Sequence, residues 1–583
     1  MPRPQAFALP LLALGIVPVA CGDSTASSTA SLTTTGVTSA TASTGTATDS
    51  PTATTTGVPT TSAGSESATG STSTSASTTD EVSASGSNTG FKFDTPQGGD
   101  IGDIETDGPA PTCHVVDDMD AIGDCNKEAP PDSFEPEVQW SWGNQNSGGS
   151  SSTPLVANLT DDNGDGSIDL CDVPDIIVVT GGPLGGKIHV LDGATGVEHF
   201  AVATPVDGFV TPAIGDIDND GLPEIVAATP GGTFLGPSAL VAFEHDGALK
   251  WTSADKFNHD QGGAVALGDL DNDGDVEVVC DDLVVDHEGK TLFIAPEQAL
   301  WDIVFHCTAT VLADLDGDLD LEVVLGQAAY HHDGTVYYND VSLKPGFPSV
   351  ANLDPDPMPE ILLTNNNGIT VLEHDGKVKF KDIKPTGDNG IGAWFRPSTI
   401  HDFDGDKLSE FATSSAAHYS MFEAGGKVAW TANVQDGSGW AAGTAFDFLG
   451  DGIAEAMYAD EVKLFVFDGA GKPLLSVPRS SKTLIEYPVV ADVDNDGSAE
   501  IVVVSDVGYD DLQTAPTVQV IRDKQDRWIQ ARRIWNQHTY HVTNVREDST
   551  IPQYEPHSWE LLNTFRTNAQ IEGGALCKPE PPM

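Results

Sequence analysis

Basic side chains are scarce in this chain: 27 Lys and Arg stand against 88 Asp and Glu, a formal net charge of −61 over 583 residues. Nucleic-acid binding relies on a basic stripe that displaces counterions from phosphates, and no such stripe is present, which excludes that class. The same excess of negative charge disfavours attachment to anionic lipid head groups. Cysteine is thin as well. The seven cysteines include no CxxC, no adjacent pair and no Cys/His metal spacing, which argues against zinc modules and against a quinoprotein-type redox site. The signatures GxSxG, HExxH and Walker are missing, and with them the nucleophile elbow, the zinc protease helix and the phosphate loop. His306, His331, His332, His401 and His418 fall near repeated apolar segments with no evident nucleophile beside them. They read as structural or surface groups, and no catalytic residue is assigned.

The N-terminus points to export. Arg3 precedes an apolar run from Ala6 to Ala20, then Cys21-Gly22-Asp23, the order of a secretory signal. It is similar to the bacterial lipoprotein signal, in which the cysteine is lipidated and becomes the first residue, although Pro18 stands where that pattern prefers leucine. The resemblance implies a lipid anchor on Cys21 that does not span the membrane, and an outer-membrane or cell-surface location; ordinary signal cleavage and secretion is the alternative. Residues 22–90 are almost all Ser, Thr, Gly and Ala, too poor in apolar surface to offset the entropy of folding, so a disordered stalk is expected. A cysteine-containing lead-in follows over 91–135. Six cysteines remain after Cys21, an even count that favours disulfides in an exported protein, with Cys113–Cys125 and Cys280–Cys307 as the expected pairs.

What the chain has in abundance is one acidic motif, repeated. First positions fall at Asp161, Asp216, Asp269, Asp314, Asn352, Asp402, Asp447 and Asp492, about every 47 residues, the length of one four-stranded propeller blade. Small and apolar residues precede each loop (TPAIGDI, AVALGDL, YPVVADV). An apolar run follows (EIVAAT, EVVLG, EIVVVS), then a third segment closed by Asp-Gly or Gly-Gly, then an often aromatic fourth such as ALKWTS and KVAWTA. Four strands joined by tight turns predict an all-β propeller over 136–525. The eighth unit shows three strands, and EVQWSW at 137–142 reads as its missing fourth. That placement closes the ring and favours eight blades over the alternative seven.

The loops carry oxygen at the positions a hard cation needs. Calcium takes six to eight oxygens, and side chains at positions 1, 3, 5 and 9 with a carbonyl at 7 can wrap it, glycine at 6 allowing the bend. The second unit offers Asp216, Asp218, Asp220, the Leu222 carbonyl and Glu224, with Gly221 at the bend. The others offer Asp161, Asn163, Asp165 and Asp169; Asp269, Asp271, Asp273 and Glu277; Asp314, Asp316, Asp318 and Glu322; Asn352, Asp354, Asp356 and Glu360; Asp402, Asp404, Asp406 and Glu410; and Asp492, Asp494, Asp496 and Glu500. Nitrogen and sulfur are absent from the sets, which argues against zinc and copper. Leu319 and Lys407 replace the glycine in units four and six, Pro355 and Pro357 interrupt unit five, and Leu449 removes a ligand from unit seven. Strong sites are expected in units one, two, three and eight, and a weak or empty one in seven. So many clustered carboxylates without cations would oppose one another's ionisation.

In these DxDxDGxxE loops the chain resembles the FG-GAP/VCBS repeat family, the propeller class also found in integrin α-subunit heads. The resemblance covers about residues 135–540. It implies several calcium ions in loops between the first two strands of the blades and, loosely, extracellular adhesion or ligand binding. The partner implied is an extracellular protein or glycan, and the chain is read as a monomer. Residues 526–583 change texture: Arg527, Arg532, Arg533, Arg546 and Arg566 make this the most basic part of the chain. The segment reads as a cap packed across the propeller, its arginines paired with blade carboxylates. The other reading is a ligand platform presenting Trp528, Trp535, Tyr540 and Trp559. A binding module is the leading function. A calcium-dependent polysaccharide lyase, hinted at by Arg396 and Lys344, and a structural envelope protein are the alternatives.

Overall fold

The computed structural model describes residues 122–123, 127–130, 133–143, 148–232, 236–257, 262–296, 309–386, 394–437, 441–508 and 513–577. Cys21, the expected stalk, Cys113, Cys125 and Cys307 lie outside the described residues. The expected pair Cys113–Cys125 therefore lies wholly outside them, and of Cys280–Cys307 only Cys280 is described, buried at the end of the second strand of blade 3.

Apolar runs bounded by acidic loops and Gly turns fold as eight antiparallel four-stranded blades. Blade 2 shows the pattern: Ala213–Gly215, Glu224–Ala228, Leu240–Phe243 and Leu249–Thr252, each strand pairing with the next. Blades 1 and 3 to 7 repeat it over 155–201, 263–294, 311–339, 346–383, 399–433 and 443–478. A two-residue strand, Val210–Thr211, adds in parallel to the first strand of blade 3. The first three strands of a blade are sandwiched between neighbouring blades, so both faces are apolar: Glu224–Ala228 and Leu240–Phe243 are buried throughout. The outer strand meets water on one side and alternates, as Val428–Asn433 does.

Blade 8 confirms the displaced strand. Val489–Ala491, Glu500–Val504 and Val518–Asp523 come from the end of the repeat region, and Pro136–Trp142 pairs antiparallel with Val518–Asp523 as the fourth. The ring is thereby closed between its two chain ends, and eight blades is the number formed.

One contact is repeated from blade to blade. Outside blade 7, whose outer strand PLLSVP has no aromatic, the aromatic residue of an outer strand lies on the glycine of the next blade's last turn: Trp251 on Gly289, Phe293 on Gly334, Tyr338 on Gly376, Phe380 on Gly426 and Trp430 on Gly471. A Cβ at Gly376 would fall 2.4 Å from the Tyr338 ring, so only glycine admits it. Trp140 makes the same contact with Gly196 of blade 1 and donates its indole N–H to the Gly193 carbonyl at 2.7 Å. The interblade seam of the closing strand is therefore built like the others.

The C-terminal segment runs along the first strands. Trp535 bridges Val156 of blade 1, Thr550 bridges Asp216 of blade 2, Phe565 bridges Ile400 of blade 6 and Thr567 bridges Ala445 of blade 7. Gln537 accepts the Leu267 N–H of blade 3 at 3.0 Å, Asn563 exchanges bonds with Asn352 of blade 5, and Asn568 donates to the Val490 carbonyl of blade 8. The arginines depart from expectation. Arg532 donates to the Val542 and Val545 carbonyls, each at 2.7 Å, and Arg566 to the Ser398 carbonyl at 2.9 Å and the Ser349 hydroxyl at 2.7 Å. Arg533 pairs with Glu547 of its own segment, while Arg527 does meet a blade carboxylate, Asp523. Arg566 also reaches the Pro348 carbonyl of a first strand, a sheet edge whose carbonyls need donors, whereas Arg532 gives its N–H groups to carbonyls of its own segment. The platform reading falls too: Trp528, Trp535, Tyr540 and Trp559 are buried and leave no face for a ligand. No helix among the described residues is long and apolar enough to cross a membrane.

Candidate metal centres

Each acidic loop joins the first and second strands of its blade, and a common set of hydrogen bonds shapes it. The position 5 carboxylate accepts the N–H of position 7 in all eight, for example Leu222 to Asp220 and Asp275 to Asp273, both at 2.9 Å. In blades 2 to 8 one oxygen of the position 9 glutamate accepts the N–H of position 2 across the loop mouth, as Leu270 to Glu277 at 2.8 Å and Val493 to Glu500 at 2.9 Å. That anchor holds one oxygen and leaves the other for the loop interior. The side-chain oxygens of Asp216, Asp218 and Asp220 lie within 4.8 Å of one another, as do those of Asp269, Asp271 and Asp273.

The bend survives loss of glycine. Gly221 has φ +89°, and Leu319 and Lys407 adopt +83° and +72° at the same position. Loops 4 and 6 therefore keep the path of the regular loops at a local strain of about 1–2 kcal/mol each. Loop 5 does not, because prolines at 355 and 357 hold φ near −65°; there Asn352 donates its amide to the Asp356 carbonyl at 2.8 Å.

Blade 1 departs most from the register of the acidic repeat. The residue that accepts the position 2 N–H is Asp175, from Leu159 at 2.9 Å, so Asn158 and Asp175 correspond to Asp216 and Glu224. Asp161, Asn163, Asp165 and Asp169 belong to an insertion between them. It is closed by Asp172, a buried residue the sequence reading passed over, which accepts N–H bonds from Asp162, Asn163 and Asp169. The signal was available: Asp172 is twelfth from Asp161, the closing position of an EF-hand-type loop.

Buried carboxylate oxygens test whether a cation fits. Asp269 Oδ1 in blade 3 and Asp492 Oδ1 and Glu500 Oε1 in blade 8 are buried with no hydrogen-bond partner. Their residues are at most 2 % exposed. An unpaired buried carboxylate oxygen costs several kcal/mol, and a cation held by all-oxygen ligands relieves it. Residues of blades 3 and 8 fit calcium on this ground. Asp269, Asp271, Asp273 and Glu277, with Asp492, Asp494, Asp496 and Glu500, would hold it.

Burial pushes the carboxyls upward in the metal-free protein. Glu277, Glu410 and Glu455 rise to about 8, chiefly from desolvation, with neighbouring loop aspartates adding to it. Asp314 goes the other way: burial raises it, but the His557 imidazole at 3.1 Å and the Gly317 and Leu319 N–H groups outweigh that. For the three glutamates the folded pKa lies above the unfolded value, so the folded state binds the proton more tightly. Their contribution to stability is full below about pH 4.5 and is lost as pH rises through about 8. In chelator the melting temperature is therefore expected to fall by roughly 5–10 °C between pH 5 and 8.5. In calcium the trend should flatten, because the cation replaces the proton. A flat profile in chelator, recorded by scanning calorimetry, would contradict this.

The sequence-predicted catalytic hints are placed elsewhere. Arg396 is buried and donates to the Asp436 carbonyl at 2.6 Å. Asn365 donates to the Lys344 carbonyl at 3.3 Å. His331 binds Glu322 at 2.9 Å and His332 binds Asp320 at 2.9 Å, both inside blade 4.

Comparison with known proteins agrees with this geometry. Residues 216–280 match the family model of the FG-GAP-like repeat, so the chain is an eight-bladed propeller carrying that repeat. No curated protein matches the sequence. Among solved structures, the V. cholerae biofilm matrix protein Bap1 is similar with a TM-score of 0.63 at 23 % identity, covering 77 % of this chain and 100 % of its own. The Bacillus licheniformis rhamnogalacturonan lyase PL11 gives a TM-score of 0.43 at 17 % identity, covering 76 % of this chain and 79 % of its own. Rhamnogalacturonan lyase YesW gives 0.43 at 16 %, covering 64 % and 71 %. Bap1 is alike in fold.

Proposed function

We propose that the chain is a calcium-stabilised binding module of the cell exterior, an adhesion or matrix component whose ligand is an extracellular glycan or protein. The observation that carries this reading is the likeness of fold to a biofilm matrix protein, which spans the whole of that protein's chain. Three features agree with it. The acidic surface suits an exported protein that avoids nucleic acid and anionic lipid. The oxygen-only loops suit the millimolar calcium of extracellular fluids. The Ser/Thr-rich stretch after Cys21 suits a tether from a lipid anchor. The lyase alternative needs a cation free to act on an acidic sugar, and Arg396 is instead engaged by Asp436.

The test uses calcium-loaded full-length protein on a glycan array, with turnover of pectic polymers assayed alongside. Saturable retention on a glycan class that is lost in chelator supports the binding module. Release of unsaturated sugar products favours the lyase. Inertness in both, with the protein retained in the envelope, favours a structural role.

A further inference from the structure

The eight loops look alike in sequence, yet the outer strand treats them differently. One residue before the aromatic that packs on the next blade, this strand presents a side chain to its own blade's acidic loop. In blade 2 that residue is Lys250. Its ammonium lies 2.6 Å from Asp218 Oδ2, 3.0 Å from Glu224 Oε1 and 3.2 Å from Glu244 Oε2. In blade 5 it is Lys379, which contacts Asp354, Glu360 Oε1 at 2.7 Å and Glu373 Oε2 at 3.5 Å. Each ammonium has three N–H groups and meets three carboxylates: positions 3 and 9 of the loop, and a glutamate at the end of the third strand (Glu373) or just beyond it (Glu244).

The decisive comparison is one oxygen. Glu224 and Glu360 are fully buried, and each gives Oε2 to the backbone N–H of position 2, from Ile217 and Leu353. Their Oε1 atoms are taken by the two lysines. In blade 8 the equivalent Oε1, on Glu500, is buried with no partner, and Asp492 Oδ1 beside it is alike. Blade 8 carries Gln139 at the outer-strand position, whose amide reaches Asp494 at 2.6 Å but leaves Glu500 alone. Blades 3, 6 and 7 carry Leu292, Ala429 and Leu474 there, side chains with neither charge nor donor.

We propose that Lys250 and Lys379 are resident cations that replace the metal ion in blades 2 and 5, so those two loops fold without calcium while the loops of blades 3 and 8 require it. This rests on the calcium reading of the open loops and divides the sites that the sequence grouped together. A divalent ion bound at about 2.3–2.6 Å from position 3 and 9 oxygens would sit against the ammonium that uses the same oxygens, and like charges at that range repel. Loop 5 supports the assignment a second way, since its prolines take it off the path of the other loops. The nine-residue motif is therefore insufficient to assign a metal; a residue far downstream decides.

Calcium bound per chain, counted on full-length protein by equilibrium dialysis and calorimetry, tests this. Asp273→Asn in blade 3 is expected to remove one ion, and Asp220→Asn in blade 2 none. Lys250→Met should add one ion, and Leu292→Lys, at a half-exposed position of blade 3, should remove one. Loss of an ion with Asp220→Asn as well as Asp273→Asn would overturn the lysine assignment and leave the calcium reading standing. Loss with neither would overturn calcium itself. If Lys250→Met does not fold, Leu292→Lys still decides: an unchanged count in that variant refutes the exchange of lysine for metal.

Discussion

Full-length protein stripped of calcium is expected to melt roughly 10 °C below the calcium-loaded form. The size follows from linkage. An ion that binds only the folded state at a hundred times its dissociation constant adds about 2.7 kcal/mol, and the two sites of blades 3 and 8 add roughly 5 kcal/mol. For a chain of this size about 2 °C accompanies each kcal/mol. The structural ground is the set of buried oxygens in blades 3 and 8 that have no partner, together with the rise of Asp492 to about 8 as burial and its neighbours Asp496 and Asp494 oppose its charge. The loops tie first strand to second in every blade, so relaxation of a loop loosens the inner end of its sheet. Paired melts in millimolar calcium and in chelator, at neutral pH, measure the effect. Coincident melts would refute it and leave a ring held by packing and the two lysines alone.

The second large effect concerns closure. Deletion of residues 1–147 removes Pro136–Trp142 and is expected to open the ring, giving a chain that aggregates and loses its cooperative melt, whereas deletion of 1–132 leaves both intact. Without that strand, Val518–Asp523 becomes a six-residue free edge, a template for pairing with another chain. The seam to blade 1 is lost at the same time: Trp140 on Gly196, and Trp142 against His189 with ring centres 4.9 Å apart. Trp140→Ala is the milder form, expected to cost about 3 kcal/mol and lower the melting temperature by roughly 6 °C. Size-exclusion chromatography and calorimetry of the three variants report the outcome. A monomeric, cooperatively melting 148–583 fragment would show that the first seven blades and a three-stranded eighth suffice.

Much of this was legible because it is local. Alternation within Val428–Asn433, unbroken apolar runs such as Glu224–Ala228 and the Asp-Gly turns each encode their strand or turn within a few residues. The missing strand of blade 8 was legible for another reason: closure requires a partner for each edge, and EVQWSW was the segment with the right pattern left over. The contacts of the C-terminal belt were legible only in part: Arg527 meets the blade carboxylate Asp523, but Arg532 and Arg566 donate to backbone carbonyls. Carboxylates were visible in the sequence as partners for arginine, whereas the edge carbonyls of Pro348 and Ser398 that Arg566 uses carry no signature.

The acidic loops mark the boundary between what sequence and structure decide. Sequence alone determined that eight oxygen-rich loops exist and that each bends back into a strand, since ligand spacing and turn chemistry depend on neighbours along the chain. The fold decided which loops still need an ion. It set Asp175 rather than Asp169 opposite Leu159, and it carried Lys250 from the outer strand to Glu224, 26 residues earlier in the chain. Charge is neutralised in space, by whatever group pairing of strands brings within 3 Å. A motif records only the carboxylates; the cation beside them belongs to the sheet.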